Sequence, residues 1–574
     1  MSISKDFDAI VIGSGITGGW AAKELTQRGL KVAMIERGRM VEHGTDYATE
    51  TLAPWEFDYR AQRDPAATHE GLAGYGMSNA NLNGASSLYP LTQAPGFFVA
   101  PEDHPYQTPQ DAPFNWTRAY VMGGRSLVWG RKCFRMSDLD FTANKLDGHG
   151  TDWPIRYADL APWYDHVESF IGVSGSTEGI AHLPDGQFQP PMALNHVEQK
   201  FKEWMEAHYP GRKFIPSRLA NMTEAKPDEG RSNCQYRNLC ARGCSFGAYF
   251  STQSSTLPAA QATGLLTVLT DSRVVSIEHD PATRRASGVR MRNTTTGATT
   301  TVTGRTIFLC ASSFNSTALL LQSTSEAFPT GLGNTSDVLG RYIMDHASGV
   351  QVVAHVPGYQ DRNYTGFRPT NHFIPRFRNV GGDTSPAFLR GYGIQLDAAR
   401  ANWEAGAFGA GIGDDLKRKA RQRGDWRLRF NLFAETLPDA ENRLTLDPAA
   451  RDKDGIAQIR VALRFGANER KLLDDAIAQS VEMAEGFGAT VVSRPGEGYA
   501  IKGAIHEMGG VRMGRDPATS MLNGFNQMHA VENVFVTDGS AMASSAWQNP
   551  SLTYMAMTAR AAAYAVDEIK QGKI

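Results

Sequence analysis

Two continuous apolar runs, residues 9–12 and 32–35, flank a helix-forming segment near the start of the chain. Hydrophobic runs of this length are typical of strands that are buried on both faces of a parallel sheet. A strand, a helix and a second strand in this order predict a βαβ unit. We therefore expect the N-terminal segment to begin a parallel sheet.

The turn after the first strand carries the pattern G-x-G-x-x-G at Gly13, Gly15 and Gly18. Gly13 allows a tight turn, Gly15 lets the backbone approach a pyrophosphate, and Gly18 lets the helix pack closely on the strand. Free N–H groups at the helix N-terminus favour bound phosphate. Glu36, after the second strand, is placed to accept hydrogen bonds from a ribose diol and would repel a 2′-phosphate. The unit predicts a site for NAD or FAD and argues against NADP.

Later hydrophobic runs predict a mixed α/β architecture. Residues 153–168 favour a capped helix, residues 267–292 a β-hairpin, and residues 306–310 a buried strand that a helix at 315–322 follows. From residue 347 to about 500, short β runs alternate with turns, which favours an antiparallel sheet that carries the substrate.

The C-terminal segment predicts a second contact with the same cofactor. Residues 534–537 form a short apolar run that ends at Asp538 and Gly539, where we expect a second turn close to the pyrophosphate. Asn549 is a favourable N-cap and Pro550 suits the first helical position, so a long helix is expected to begin there. Its positive N-terminal end would stabilise negative charge on a reduced isoalloxazine, which favours FAD over nicotinamide.

Two loop regions are predicted to lie against a flat ligand or a partner. The sequence YVMGGRSLVWGRKCF contains Gly123, Gly124 and Ser126, and its glycines suit backbone contact with a cofactor. The irregular region 42–115 is predicted to cover the cofactor or to form a partner surface. Its apolar anchors are expected to be Trp55, Tyr59, Phe97, Phe98 and Tyr106.

Composition narrows the function mainly by exclusion. The 574 residues suffice for two or more domains, and a net charge of −2 gives no electrostatic case for nucleic-acid binding. No apolar window is long enough to predict a transmembrane segment, and the N-terminus lacks the layout of a signal peptide. The basic cluster at 417–429 is interpreted as a solvated helix face.

Three of the five cysteines lie within eleven residues, as Cys234, Cys240 and Cys244. Zinc prefers four ligands and shorter C-x2-C spacings. Three thiolates match an iron–sulfur cluster that lacks its fourth corner, and three reduced buried thiols are the alternative.

His506 and Asn549 are the predicted catalytic residues. Alcohol oxidation removes a hydroxyl proton while a hydride leaves the carbon, and a neutral imidazole is suited to take that proton. The Asn549 amide could hold the same oxygen in line with the flavin.

Taken together and in this order, the motifs resemble the glucose–methanol–choline (GMC) oxidoreductase family over nearly the whole chain. They include GGRSLVWG, WPIRYADLAPWY, LGRYIMDH, ENRLTLDPAARDKDG and IHEMGGVRMG. The resemblance implies a Rossmann-like FAD-binding domain built from discontinuous segments, and a substrate domain with an antiparallel sheet. The expected FAD-binding segments are 1–45, 116–150, 225–346 and 501–574, the lid or partner loop is 46–115, and the substrate domain is 151–224 with 347–500.

The resemblance also assigns residues around the flavin. The His/Asn pair of the pyranose oxidase branch falls on His506 and Asn549. That branch often carries a flavin-bonded histidine at the position of Val128, so non-covalent FAD is expected here. Val274 and Ala311 are further predicted FAD contacts.

The cysteine-rich insert resembles catalytic subunits of bacterial FAD-dependent glucose dehydrogenases and glucoside 3-dehydrogenases. That resemblance implies a 3Fe-4S cluster, a small signal-bearing chaperone subunit, a cytochrome c acceptor and co-export to the periplasm, with a cytoplasmic location as the alternative. The predicted reaction is oxidation of a sugar ring hydroxyl, most specifically C3 of a pyranoside. The alternatives are C1 or C2 oxidation, a flavin oxidase that uses dioxygen, and a non-enzymatic redox subunit.

Overall fold

The computed structural model describes residues 7–53, 56, 94–99, 103–385, 387–400, 412–421 and 424–574. The strands of these residues, in chain order, are β1 (Phe7–Ile12), β2 (Val32–Ile35), β3 (Leu266–Leu269), β4 (Ser272–Asp280), β5 (Arg285–Asn293), β6 (Thr299–Leu309), β7 (Ala347–Val356), β8 (His372–Ile374), β9 (Tyr392–Arg400), β10 (Trp426–Ala434), β11 (Arg443–Arg451), β12 (Ala457–Ala462), β13 (Thr490–Ser493) and β14 (Val534–Val536). The α-helices are α1 (Ile16–Gln27), α2 (Asp138–Phe141), α3 (Ala143–Asp147), α4 (Tyr157–Ile171), α5 (His196–His208), α6 (Leu257–Gln261), α7 (Ser313–Gln322), α8 (Asp414–Arg421), α9 (Ala467–Gly486) and α10 (Ser551–Lys570).

The N-terminal βαβ unit has the predicted form and lies in the middle of a seven-stranded sheet. β1 and β2 pair in parallel, with Ala9 opposite Val32, and α1 connects them. β3 continues the parallel sheet beyond β2, and β6 lies on the other side of β1. β1 is buried except at Asp8, as expected for a central parallel strand.

β6 connects the parallel and antiparallel parts of this sheet. Its first half pairs with β5 in the antiparallel direction, whereas its second half lies between β1 and β14 in the parallel direction. Phe308 of β6 is opposite both Val11 of β1 and Phe535 of β14. β14, the last described strand, therefore belongs to the same sheet as β1, the first described strand.

The predicted hairpin at 267–292 is wrong in its first part. Residues 266–269 form β3, which pairs in parallel with β2, and the hairpin consists of β4 and β5. A short apolar run followed by a turn is compatible with a strand of a hairpin and with a strand of a parallel sheet, so the sequence pattern does not distinguish them.

A second sheet, in the order β13-β7-β10-β9-β8, is antiparallel throughout, which confirms the predicted architecture of residues 347–500. Along β10, Trp426, Leu428 and Phe430 are buried and the residues between them are more exposed, so one face of the sheet packs on a core. Helix α9 contributes Leu472 and Leu473 to that core. The sequence analysis did not predict this 20-residue helix.

The C-terminal helix α10 packs against α1 and α4. Its alanines, with Ala21 and Leu25 of α1, form a core on one face of the parallel sheet. Helix α4 begins at Tyr157, inside the segment 153–168 for which the sequence predicts a capped helix, and the Arg156 N–H donates to the Asp159 carboxylate at 2.7 Å. Among the described helices, none is both long enough and apolar enough to cross a membrane.

Several sequence predictions fall partly or wholly outside the described residues. Trp55, Tyr59 and most of the 46–115 region lie there, whereas Phe97 is buried beside Tyr47 and Val121. The basic cluster at 417–429 is divided between α8 and β10, so it is not a single helix face. The predicted domain boundaries stay a prediction.

Candidate active site

A cavity lies at the carboxyl ends of four parallel strands. Its lining includes Gly13 after β1, Glu36 after β2, Ala311 after β6 and Asp538 after β14. Carboxyl ends of parallel strands are where open α/β sheets bind ligands. The sheet therefore gathers cofactor-binding residues from both ends of the chain, as the sequence analysis predicts.

The glycine fingerprint has one open position and two packed ones. Gly13 has a φ of +95°, and a Cβ at Gly18 would lie 2.0 Å from the Gly13 carbonyl oxygen. A Cβ at Gly15 would meet no atom within 4 Å, and Gly15 lines the cavity. Gly18 therefore has the packing role that the fingerprint predicts, and it does not itself line the cavity.

Glu36 is buried and joins the fingerprint to the GGRS loop. Its carboxylate accepts hydrogen bonds from the Ser14 hydroxyl (2.6 Å), the Ser14 N–H (3.2 Å) and the Gly38 N–H (2.9 Å). The Ser14 hydroxyl in turn accepts the Gly123 N–H at 2.8 Å. Burial raises the pKa of Glu36, although these donors oppose that effect.

The predicted contacts Gly124, Ser126 and Val274 line the cavity, as do Gly539 and Val128. Gly123 does not line it. With a φ of +91°, and with Gln253 Oε1 1.9 Å from where a Cβ would lie, Gly123 is required by the turn itself. Its predicted contact with the cofactor stays a prediction.

Basic and aromatic side chains line the cavity beside Glu36. The Arg37 guanidinium lies 3.7 Å from the centre of the Tyr120 ring and donates to His104 Nδ1 at 3.2 Å. Arg273 donates to Asp452 (2.6 Å) and Asp454 (2.7 Å), which attaches the β11–β12 turn to this end of the cavity. None of these residues was predicted from the sequence.

His104, Asp452 and Asp454 bring three potential metal ligands within 4.8 Å of one another. Arg273 forms ion pairs with both carboxylates, and Arg37 adds a second positive charge beside Asp452. Burial, with the charges of Arg37 and Arg273, lowers the pKa of His104 to about 3. The cluster is therefore an internal ion-pair network, and it gives no case for a metal.

At the opposite end of the cavity, His506 and Asn549 lie together, as predicted. Asn549 Nδ2 is 3.3 Å from His506 Nε2, and Gln395 Nε2 donates to Asn549 Oδ1 at 3.5 Å. Burial lowers the pKa of His506 well below its usual range, and the neighbouring His346, Arg125 and Lys132 add to that effect. His506 is therefore neutral and can accept a proton.

Asp345 holds the backbone that carries His506. Its carboxylate accepts the N–H groups of Ala504 (3.0 Å), Ile505 (3.1 Å) and His506 (3.0 Å). Ile505 has a φ of +61°, which is unfavourable for a β-branched residue and needs such support. Burial and the nearby Glu507 raise the pKa of Asp345 to about 7.

Helix α10 begins at Ser551, and Pro550 occupies its N-cap position without a side-chain cap. The prediction that Asn549 is the N-cap is therefore wrong by one residue, and the Asn549 amide contacts His506 instead. Pro550 and Ser551 line the cavity, so the positive end of α10 lies at its wall, as predicted.

The cavity residues fit the FAD predicted from the sequence. The first turn of α1 has no side-chain cap, which leaves backbone donors for a phosphate beside the open Gly15 position. The cavity wall also includes Arg118, whose Nε is buried and has no hydrogen-bond partner among the described residues. A buried guanidinium donor of this kind is suited to an anionic or polar ligand.

The three clustered cysteines lie outside this cavity, close to one another. The Tyr236 N–H lies 3.5 Å from Cys234 Sγ, and Asn221 Nδ2 lies 3.9 Å from Cys240 Sγ. Burial raises the pKa of Cys234 to about 11, with smaller contributions from Cys240 and Cys244.

No described group that includes these cysteines brings three ligand atoms within 4.8 Å. A zinc ion with Zn–S bonds of about 2.3 Å would need sulfur atoms about 3.8 Å apart. The described geometry thus argues against mononuclear zinc. A 3Fe-4S cage separates its cysteine sulfurs more widely, and the cluster stays a prediction.

The sequence analysis did not predict His346, which contacts His506, or Gln395, which contacts Asn549. His346 ends the LGRYIMDH motif, which was noted for its resemblance but given no role. Gln395 lies in β9, where the period-2 pattern reports only which face is buried.

Comparison with known proteins agrees with this geometry. The chain matches the sequence family described as GMC oxidoreductase over residues 7–348 and again over 438–558. It is 28% identical to 2-methyl-1,2-propanediol dehydrogenase of Mycolicibacterium austroafricanum, over 97% of this chain and 94% of that protein. It is 24% identical to the fructose dehydrogenase large subunit of Gluconobacter japonicus, over 98% of each chain.

A solved structure shares the fold. A mutant formate oxidase of Aspergillus oryzae RIB40, solved to study FAD modification, superimposes with a TM-score of 0.64. The alignment covers 99% of each chain at 12% sequence identity, so it supports the fold alone.

Proposed function

This chain belongs to the GMC oxidoreductase family, and from that premise we propose that it is an FAD-dependent dehydrogenase that oxidises a ring hydroxyl of a sugar. The observation that carries the proposal is the contact of His506 with Asn549 inside the cavity that the glycine fingerprint enters. The similarity to a fructose dehydrogenase subunit supports a sugar as the substrate.

The protein's own residues supply the acid–base part of the reaction. His506 Nε2 takes the hydroxyl proton, and the Asn549 amide donates a hydrogen bond to the same oxygen. Gln395 orients that amide. Bound FAD would accept the hydride from the carbon that carries the hydroxyl group.

We extend the proposal to the position of oxidation, C3 of a pyranoside, on the resemblance of the C-terminal motif alone. The product would be a ring ketone.

We further propose that Cys234, Cys240 and Cys244 hold a 3Fe-4S cluster. Burial raises the pKa of Cys244, and the N–H groups of Ala248 and Phe246, which face its sulfur, oppose that effect and would stabilise a thiolate ligand. A bound cluster would carry single electrons to an external acceptor such as cytochrome c.

A protein acceptor and a small partner subunit belong to the same proposal. The relative named as a large subunit supports an assembly with other chains. Co-export to the periplasm with a signal-bearing partner is the location that we propose.

Anaerobic mixing of the FAD-loaded protein with glucose, methyl glucoside or a disaccharide tests the reaction. We expect loss of flavin absorbance with methyl glucoside and a C3 ketone by NMR. Since methyl glucoside is blocked at C1, its failure to reduce a flavin that glucose reduces would contradict C3 oxidation and favour C1.

His506→Ala should abolish reduction by sugar while FAD stays bound, because the base is lost and the phosphate site is untouched. His149→Ala, outside the cavity, is the matched control. Unchanged reduction in His506→Ala would refute the assigned base.

Iron and acid-labile sulfide analysis of anaerobically purified protein tests the cluster. We expect about three iron atoms per chain. Cys240→Ser should lose iron, whereas Cys133→Ala, at an isolated buried thiol, should keep it. Less than one iron per wild-type chain, together with rapid reaction with dioxygen, would favour the oxidase alternative.

A further inference from the structure

Behind the proposed base lies a second histidine, His346, which no substrate atom could reach because it is fully buried. Its Nδ1 lies 2.9 Å from Nδ1 of His506, and the two rings are perpendicular. On its other side, His346 Nε2 lies 2.8 Å from the Ala546 carbonyl oxygen. The three groups form a chain of two short hydrogen bonds that ends at the base.

The direction of this chain follows from its fixed end. A carbonyl oxygen only accepts, so His346 Nε2 must carry a proton. A neutral imidazole has one N–H, and burial lowers the pKa of His346 to about 4, so its Nδ1 is an acceptor near neutral pH. The proton between the two rings must then belong to His506 Nδ1.

We propose that His346 is a positioning residue that holds His506 in the tautomer protonated at Nδ1, which leaves Nε2 bare toward the substrate. The inference rests on the proposed function, because it explains how His506 serves as the base. His346 itself takes no proton and contacts no reacting atom.

Contacts on the substrate side of His506 point to the same tautomer. Gln395 Nε2 donates to Asn549 Oδ1, which turns the Asn549 amide nitrogen toward His506 Nε2 at 3.3 Å. With the amides placed in this way, Asn549 Nδ2 donates and His506 Nε2 accepts. This arrangement agrees with the proton position that the Ala546 carbonyl fixes from the other side of the ring.

The tautomer determines whether the reaction has a base. With Nε2 bare, the substrate hydroxyl transfers its proton to Nε2, and the resulting imidazolium still donates from Nδ1 to neutral His346. With Nε2 protonated, the lone pair would lie on Nδ1, which faces the protein interior. The second form could bind substrate but could not remove its proton.

Two substitutions separate this role from packing. His346→Leu keeps approximate bulk and removes both hydrogen bonds. His346→Gln keeps an acceptor for His506 and a donor for Ala546. We expect anaerobic flavin reduction by methyl glucoside to slow by about 10²-fold in His346→Leu, the contribution of a positioned general base. We expect the rate of flavin reduction in His346→Gln to lie within about tenfold of the wild-type rate. The FAD content and the substrate dissociation constant should change little in either variant.

The tautomer of His506 can also be measured by NMR in the absence of substrate. Nitrogen-15 NMR of histidine-labelled holoenzyme distinguishes protonated from bare ring nitrogens, and loss of a resonance in His506→Ala assigns it. We expect a protonated Nδ1 and a bare Nε2 in wild type, and a shift toward Nε2 protonation in His346→Leu.

The proposal is overturned if wild-type His506 is protonated at Nε2, or if His346→Leu reduces its flavin as fast as wild type. If no sugar reduces wild-type flavin, the proposed function fails. The NMR result then still decides the tautomer, so the two failures are distinguishable.

Discussion

Two glycines of one fingerprint should respond in opposite ways to the same methyl group. In Gly18→Ala the new Cβ would lie 2.0 Å from the Gly13 carbonyl oxygen, so α1 and the β1 turn must separate. Overpacking against backbone costs about 3 kcal/mol, and replacing a helical glycine by alanine returns about 1 kcal/mol. We expect the apoprotein to lose about 2 kcal/mol of unfolding free energy.

Gly15→Ala places its methyl in open space at a φ of −63°, which alanine adopts without strain. The apoprotein should keep its stability. The methyl would stand where the backbone approaches the pyrophosphate, so we expect the FAD dissociation constant to rise at least about tenfold, or about 1.4 kcal/mol.

The assay is denaturant unfolding of both apoproteins, followed by FAD titration monitored by flavin fluorescence. Gly496→Ala, outside the cavity, serves as the comparison, because Gly496 has open surroundings and no positive φ. The reasoning is refuted if Gly18→Ala is as stable as wild type, or if Gly15→Ala destabilises the apoprotein while binding FAD normally.

Three further predictions concern charged groups. Burial opposes ionisation of Glu24, but hydrogen bonds and charges from neighbouring basic groups lower its pKa from 4.5 to about 2. Glu24→Gln should therefore lose unfolding free energy in urea at pH values above about 5, and this loss should disappear as the pH falls toward 2. A loss that does not change with pH would contradict this. Arg273→Ala should release the β11–β12 turn and raise the FAD dissociation constant about tenfold, about 1.4 kcal/mol, in a calorimetric titration, whereas an unchanged constant would exclude this role. Asp345→Asn should leave one backbone N–H near Ile505 unpaired, which lowers the unfolding free energy by about 1–3 kcal/mol. Flavin reduction should slow while FAD stays bound. An unaltered rate of flavin reduction would show that the carboxylate is dispensable.

The local motifs of the nucleotide site could be predicted from the sequence because each is a short, contiguous code. The fingerprint, Glu36 and the turn at Asp538 all follow buried strands, and strands that share a parallel sheet present their carboxyl ends together. His506 and Asn549 were predicted from the chemistry and the resemblance. Their contact depends on the position of the start of α10 beside the segment that carries His506, and the sequence pattern does not give that position.

Contacts between distant segments could not be predicted. His104 and Asp452 are separated by nearly 350 residues, and neither lies in a pattern that indicates its partner. The error at 267–292 has the same origin, since β3 pairs with β2 from far upstream and not with its neighbour. The Asn549 error arose because a residue suited to an N-cap here serves the base instead.

The position of β14 has a consequence for biosynthesis. β1 is translated about 500 residues before β14, the strand that closes the far side of β6. Until then the growing chain carries an unpaired edge and the apolar surface that α10 covers, both of which favour aggregation. A nascent chain that stalls before residue 534 is therefore expected to be a substrate for chaperones and proteases.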